Sequence, residues 1–131
     1  MTICHNIQSL HLLGSSHHVA GLDIREKISL AQEEVDDFYK GLSSLPGLDE
    51  CILLNTCNRT EIYGASKNGF SPNILQKYLS EFRKLDPDFL HKHSYLHSGE
   101  RVVKHLFEVA SGIDSQMVGE TEILGQVKKA Y

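Results

Sequence analysis

The chain has 131 residues, a formal net charge of −4 at pH 7 with histidine neutral, and 40% hydrophobic residues. That length bounds it to one domain with room for a core, and no apolar run approaches the roughly 20 residues that a membrane span requires. Dispersed lysines and arginines exclude a general phosphate-backbone binder, the N-terminus lacks a signal-peptide pattern, and three cysteines without a CxxC fit a reducing compartment, so a soluble cytoplasmic protein is expected.

In chain order, "IQSLHLLGSSH" shows partial period-two alternation and ends in Gly and Ser, which predicts a first strand with His17 and His18 in the loop after it. Asp23 followed three residues later by Glu26 is a variant of the capping box. Ile24, Ile28, Ala31, Val35, Phe38 and Leu42 then recur at helical spacing, which predicts one helix over them. "LPGLDE" is turn chemistry, and "CILLNT" is a short apolar run of the kind expected in a central strand. "TEIYGAS" reads as the next strand, which leaves only Cys57, Asn58 and Arg59 to connect the two in a tight hairpin.

Ser71 and Pro72 suit the start of a helix striped by Ile74, Leu75, Tyr78, Leu79 and Phe82, which must stop before Asp86-Pro87. "HSYLHS" reads as a short edge strand, and Ser98 as the cap of a helix that turns Val102, Val103, Leu106, Phe107 and Ala110 toward the core. The resulting order, β-α-β-β-α-β plus helix, is an α/β (α+β) class with a ferredoxin-like sandwich and additional C-terminal helices. Ile123, Leu124, Val127 and Tyr131 continue at helical spacing to the last residue without a stop signal. Residues 1–131 are therefore expected to be one domain of a longer protein, with a linker helix starting near 115–131. No glycine-rich phosphate-cradling motif is present.

Cys57 stands where a strand ends, with Arg59 two residues beyond. A fixed positive charge near a thiol favours the thiolate and so its nucleophilicity; the other reading of the same pattern is an inert turn cysteine. His91, His93 and His97 could share one face of a strand and suggest a metal, but no cysteine or carboxylate is regularly spaced with them, and no metal site is assigned.

Three stretches, in order, resemble the glutamyl-tRNA reductase family. "NTCNRTEIYG" is similar to its "TCNRTE" signature, "GSSHHVAGLDIREK" to its N-terminal block, and "HLFEVASGIDSQMVGETEILGQVKKAY" to its third block, in which "GEPQILGQ" is usual where this chain has "GETEILGQ". The resemblance implies a reductase that converts glutamyl-tRNA to glutamate-1-semialdehyde, the first step of tetrapyrrole (5-aminolevulinate, porphyrin) synthesis. It implies Cys57 as the nucleophile that forms a glutamyl thioester and His105 as an active-site histidine for proton transfer, with a satisfied core histidine as the competing reading. Thr56, Cys57, Asn58, Arg59, Ser115, Glu120, Thr121, Glu122 and Gln126 follow as substrate contacts. Arg59 is suited either to the substrate carboxylate or to thiolate activation.

The resemblance also implies NADPH, bound by a domain beyond this one, a homodimer formed through a further missing domain, and a hand-off to glutamate-1-semialdehyde aminomutase. Arg25 and Lys27 remain as local basic residues for tRNA phosphate. The contrasting hypothesis is a non-enzymatic ferredoxin-like sensor or interaction module with a structural or redox-responsive cysteine. His17 and Glu61 are left out of the catalytic set, His17 as a loop residue and Glu61 as a residue that either orients Arg59 or faces solvent.

Overall fold

A computed structural model describes residues 7–67 and 69–112. After a single 3-10 turn, Ile7–Ser9, the elements are β1 (Leu10–Ser16), α1 (Leu22–Ile28), a second 3-10 turn (Gln32–Glu34), α2 (Val35–Ser43), β2 (Leu48–Asn55), β3 (Arg59–Ser66), α3 (Asn73–Arg83), α4 (Pro87–Lys92), β4 (Tyr95–Ser98) and α5 (Glu100–Ala110). The strands form one antiparallel sheet in the order β2-β3-β1-β4.

Two cores lie on opposite faces of this sheet, because successive side chains of a strand point to opposite sides. On one face Leu13, Leu53 and Ile62 pack with Ile28, Leu30, Phe38, Leu42, Leu75, Leu79 and Leu90 from the α1–α4 side. On the other, Leu12, Leu54 and Tyr63 pack with Val102 and Val109 of α5. Every residue of β3 is buried, since it has a strand on each edge and a helical layer on each face.

That arrangement corrects the placement of "CILLNT". It is part of β2, at the sheet edge, and the inner positions belong to β3 and β1. A continuous apolar run does not distinguish a central strand from an edge strand whose rim is covered. Here Tyr39 of α2 lends its hydroxyl to the Leu53 N–H at 2.6 Å, which masks part of the edge.

The single helix expected over Ile24 to Leu42 is two. Ser29 and Ala31 are extended, Leu30 rather than Ala31 is buried, and the chain re-enters helix through the 3-10 turn. The Asp23–Glu26 capping pattern is not used: Gly21 is the N-cap of α1, and the side-chain cap forms later, where Glu34 Oε1 accepts the Ala31 N–H at 2.9 Å. Ser98 is likewise the end of β4 rather than a cap. Gly99 takes that position with φ 71°, a conformation that favours glycine.

The short helix α4 lies outside the predicted elements, although its signals are in the sequence: Asp86 accepts from the Asp88 N–H at 2.8 Å and Pro87 occupies the first turn. It takes His91 and His93 off any strand, so His97 alone of the three histidines sits on β4. On α5, Val102 is buried as expected and Val109 is buried as well, but Phe107, expected toward the core, is 72% exposed. The predicted helix near 115–131 lies outside the described residues.

Candidate active site

The β2–β3 connection is built around Thr56. Its N–H donates to the Arg59 carbonyl at 2.8 Å, and its hydroxyl oxygen accepts from the N–H groups of Asn58 and Arg59 at 3.1 and 3.3 Å. The Asn58 carbonyl accepts in turn from the His17 N–H at 3.1 Å, which ties the β1–α1 loop to the hairpin tip. His17 therefore braces the turn through its backbone, consistent with its reading as a loop residue.

Thr56, Asn58 and Arg59 are buried while Cys57 between them is exposed. The backbone around the thiol is thus held by hydrogen bonds on both sides, and the thiol itself faces outward. Beside it is a cleft of about 140 Å³ lined by Leu22, Arg25, Glu26, Ser29, Thr56, Cys57, Arg59 and Thr60. One wall is α1, whose Arg25 guanidinium donates back to the Ala20 carbonyl at 3.1 Å in the loop that precedes the helix.

Arg59 belongs to β3 rather than to the connection, and it is only 1% exposed. Its Nη1 lies 3.4 Å from Glu61 Oε2 in an ion pair whose side chains are both fully buried. Glu61 is therefore not a solvent-facing residue but the hub of a cluster. Its Oε1 accepts from the Tyr63 hydroxyl at 2.8 Å, and its Oε2 accepts from the Tyr95 hydroxyl at 2.5 Å and contacts His105 Nε2.

Burial alone would raise the Glu61 carboxyl. The hydrogen bond and charge of His105, the Tyr95 hydroxyl and the Arg59 charge outweigh that effect and hold it below the ordinary carboxylate range. Burial, then the Glu61 charge, push the Tyr63 and Tyr95 phenols far up, so both remain neutral donors.

Room for the cluster comes from Gly14, which pairs with Glu61 on one side and Tyr95 on the other. A Cβ there would lie 2.7 Å from the Tyr95 ring and 2.9 Å from Glu61 Cγ. The sequence signal that could have identified Glu61 is the period-two ladder Arg59, Glu61, Tyr63: opposite charges and a phenol along one face of a strand, where apolar residues are expected.

The structure brings Thr56, Cys57, Asn58 and Arg59 together. It joins His105 to them through Glu61 and Arg59, and His105 does not line the cleft beside Cys57. Ser115, Glu120, Thr121, Glu122 and Gln126 lie outside the described residues, as does Cys4. Among the described residues no group of three histidine, cysteine or carboxylate side chains is gathered as a metal site would be, and no helix is long and apolar enough to cross a membrane.

Residues 13–131 match the family model described as Glutamyl-tRNAGlu reductase, N-terminal domain. The chain belongs to the glutamyl-tRNA reductase N-terminal domain family. It is 40% identical to the glutamyl-tRNA reductase of Idiomarina loihiensis over 123 residues, covering 94% of this chain and 29% of that protein. Against the glutamyl-tRNA reductase of Syntrophotalea carbinolica it is 40% identical over 121 residues, covering 92% of this chain and 27% of the relative. The solved glutamyl-tRNA reductase from Methanopyrus kandleri superposes with a TM-score of 0.69 at 34% identity, over 95% of this chain and 27% of that one. The chain thus spans less than a third of the length of these glutamyl-tRNA reductases. Its membership counts against the sensor reading of Cys57.

This glutamyl-tRNA reductase domain has ten glycines. No two of the ten are two residues apart, so the tight glycine-rich turn that admits a pyrophosphate to a helix N-terminus is missing from the sequence.

Proposed function

We propose that this domain performs the thiol half of a glutamyl-tRNA reductase reaction. The thiolate of Cys57 attacks the ester carbonyl joining glutamate to tRNA. A carbon–sulfur bond forms, the bond from that carbon to the ribose oxygen breaks, and the ribose oxygen leaves with a proton. The resulting thioester carbonyl is less resonance-stabilised than the ester and is the better hydride acceptor. The observation that carries this reading is one exposed thiol on a turn whose neighbours are all buried and hydrogen-bonded.

Arg59, charge-paired to Glu61 and bordering the cleft, is better suited to receive the substrate carboxylate as part of a shared charge network than to act as an isolated cation on the thiol. Thr56 and Asn58 complete that side, and Arg25 in the opposite wall is a candidate for a tRNA phosphate. His105 is assigned proton exchange with the ribose or carbonyl oxygen from the α5 side of β3. Ser115, Glu120, Thr121, Glu122 and Gln126 are assigned to the amino and carboxylate groups of the glutamyl moiety by resemblance. Reduction by NADPH, homodimerisation, hand-off to the aminomutase and a cytoplasmic location belong to the same reading of the full-length protein. The strand order and antiparallel pairing support the finer ferredoxin-like description, with α5 added on the second face.

The test incubates the full-length enzyme with glutamyl-labelled tRNA in the absence of NADPH. An acid-stable, hydroxylamine-labile adduct on Cys57, lost in Cys57→Ser, is the expected result. A fully active preparation that forms no adduct overturns the covalent mechanism.

A further inference from the structure

We propose that Glu61 is a positioning residue that commits Nε2 of His105 as a hydrogen-bond donor and leaves Nδ1 as the acceptor nitrogen of the ring. The catalytic use of that atom rests on the ester-opening reading above; the assignment of the tautomer does not.

An ionised carboxylate only accepts, so the ring nitrogen facing it must carry a hydrogen. The alternative, a protonated Glu61 donating to the ring, would need a proton on Oε2. That oxygen already receives Tyr95 at 2.5 Å and Arg59 Nη1 at 3.4 Å besides His105, while Oε1 receives Tyr63. Three donors besides the ring, Tyr63, Tyr95 and Arg59, converge on one buried carboxylate, and all three are best satisfied by an ionised acceptor.

The ring is also fixed in orientation. Its centroid is 5.3 Å from that of Tyr95 and 5.9 Å from that of His97, and α5 carries it against the sheet. The groups facing this cluster are Arg59 and Tyr63 from β3, Tyr95 and His97 from β4, Ser16 from β1 beside Tyr95, and Arg101 on α5. Among the described residues no hydrogen bond engages His105 Nδ1, and the side chain retains 16% exposure. The remaining nitrogen is the one left for proton exchange. A histidine whose far nitrogen is held by a carboxylate has one tautomer and one usable lone pair.

The experiment is a long-range ¹H–¹⁵N correlation spectrum of the ¹⁵N-histidine-labelled chain at a pH where His105 is neutral. Expected is a single tautomer, with Nε2 at the pyrrole-type position and Nδ1 at the pyridine-type position. A predominant Nδ1–H tautomer, or an averaged mixture, overturns the proposal. Glu61→Gln should lose the single tautomer, because an amide can either accept from or donate to Nε2, whereas Tyr63→Phe, which removes a donor from the other oxygen, should keep it. A folded Glu61→Gln chain with unchanged tautomer overturns the assignment to Glu61. Should that variant fail to fold, the wild-type spectrum still decides. The readout needs neither substrate nor turnover, so full activity in a Cys57→Ser reductase would remove the thioester reading and leave the tautomer result standing.

Discussion

Asn55 and Leu30 hold each other through both of their amide groups: the Asn55 side-chain N–H donates to the Leu30 carbonyl at 2.8 Å, and the Leu30 N–H donates to Asn55 Oδ1 at 3.3 Å. The side chain imitates a strand backbone and pins the α1–α2 link to the rim of β2. The Thr60 hydroxyl adds a third contact, to Oδ1 at 3.0 Å. Satisfied this way, the Leu30 backbone need not be helical, which is the physical reason the expected long helix is broken.

Asn55→Ala should therefore destabilise the domain by about 1–3 kcal/mol, the range for leaving such groups without partners. In urea the midpoint falls while the slope stays constant. Asn55→Asp, which keeps the acceptor but not the donor, should fall between the two.

Gly14→Ala places a methyl group against the Tyr95 ring and Glu61 Cγ, and overpacking of this kind costs about 1–3 kcal/mol. Gly21→Ser, at the N-cap of α1 where an added Cβ meets nothing within 4 Å, should gain a few tenths of a kcal/mol. Thermal melts of the two variants should move in opposite directions.

Glu61 makes stability depend on acid. Its carboxyl is held below the ordinary value of 4.5, so its contribution is complete above that value and is lost as pH falls through the lower value it has in the folded chain. Glu61→Gln removes one charge of a buried ion pair and should cost about 3–5 kcal/mol at pH 7. Denaturant melts of both proteins from pH 7 downward should show the gap narrowing below about pH 4.5. A gap constant with pH would contradict the ionised state of Glu61.

Between the two described cysteines, alkylation at neutral pH should modify Cys57 well before Cys51. Cys57 is exposed, whereas Cys51 is partly buried and burial pushes its thiol up, opposed by a hydrogen bond with Ser43. Peptide mass spectra over a time course give the order directly. Initial loss of Cys51 alone would contradict it.

Local signals were legible wherever a residue acts on its own neighbours. The hairpin follows from strand-turn-strand chemistry over Leu48 to Ser66, the end of α3 from Asp86-Pro87, and the special position of Cys57 from its place at a strand end. Glu61 was not legible as a hub, because its partners Tyr95 and His105 are 34 and 44 residues away in sequence.

The sequence by itself determined the four strands, the turn that presents Cys57 and the family, since period, turn chemistry and ordered motifs are carried by residues near one another. Only the tertiary structure decided that β3 is central and β2 an edge, that Asn55 interrupts a helix, and that Arg59 faces a buried carboxylate. Those outcomes depend on pairings between distant segments, where the burial of one group is set by what another part of the chain places against it.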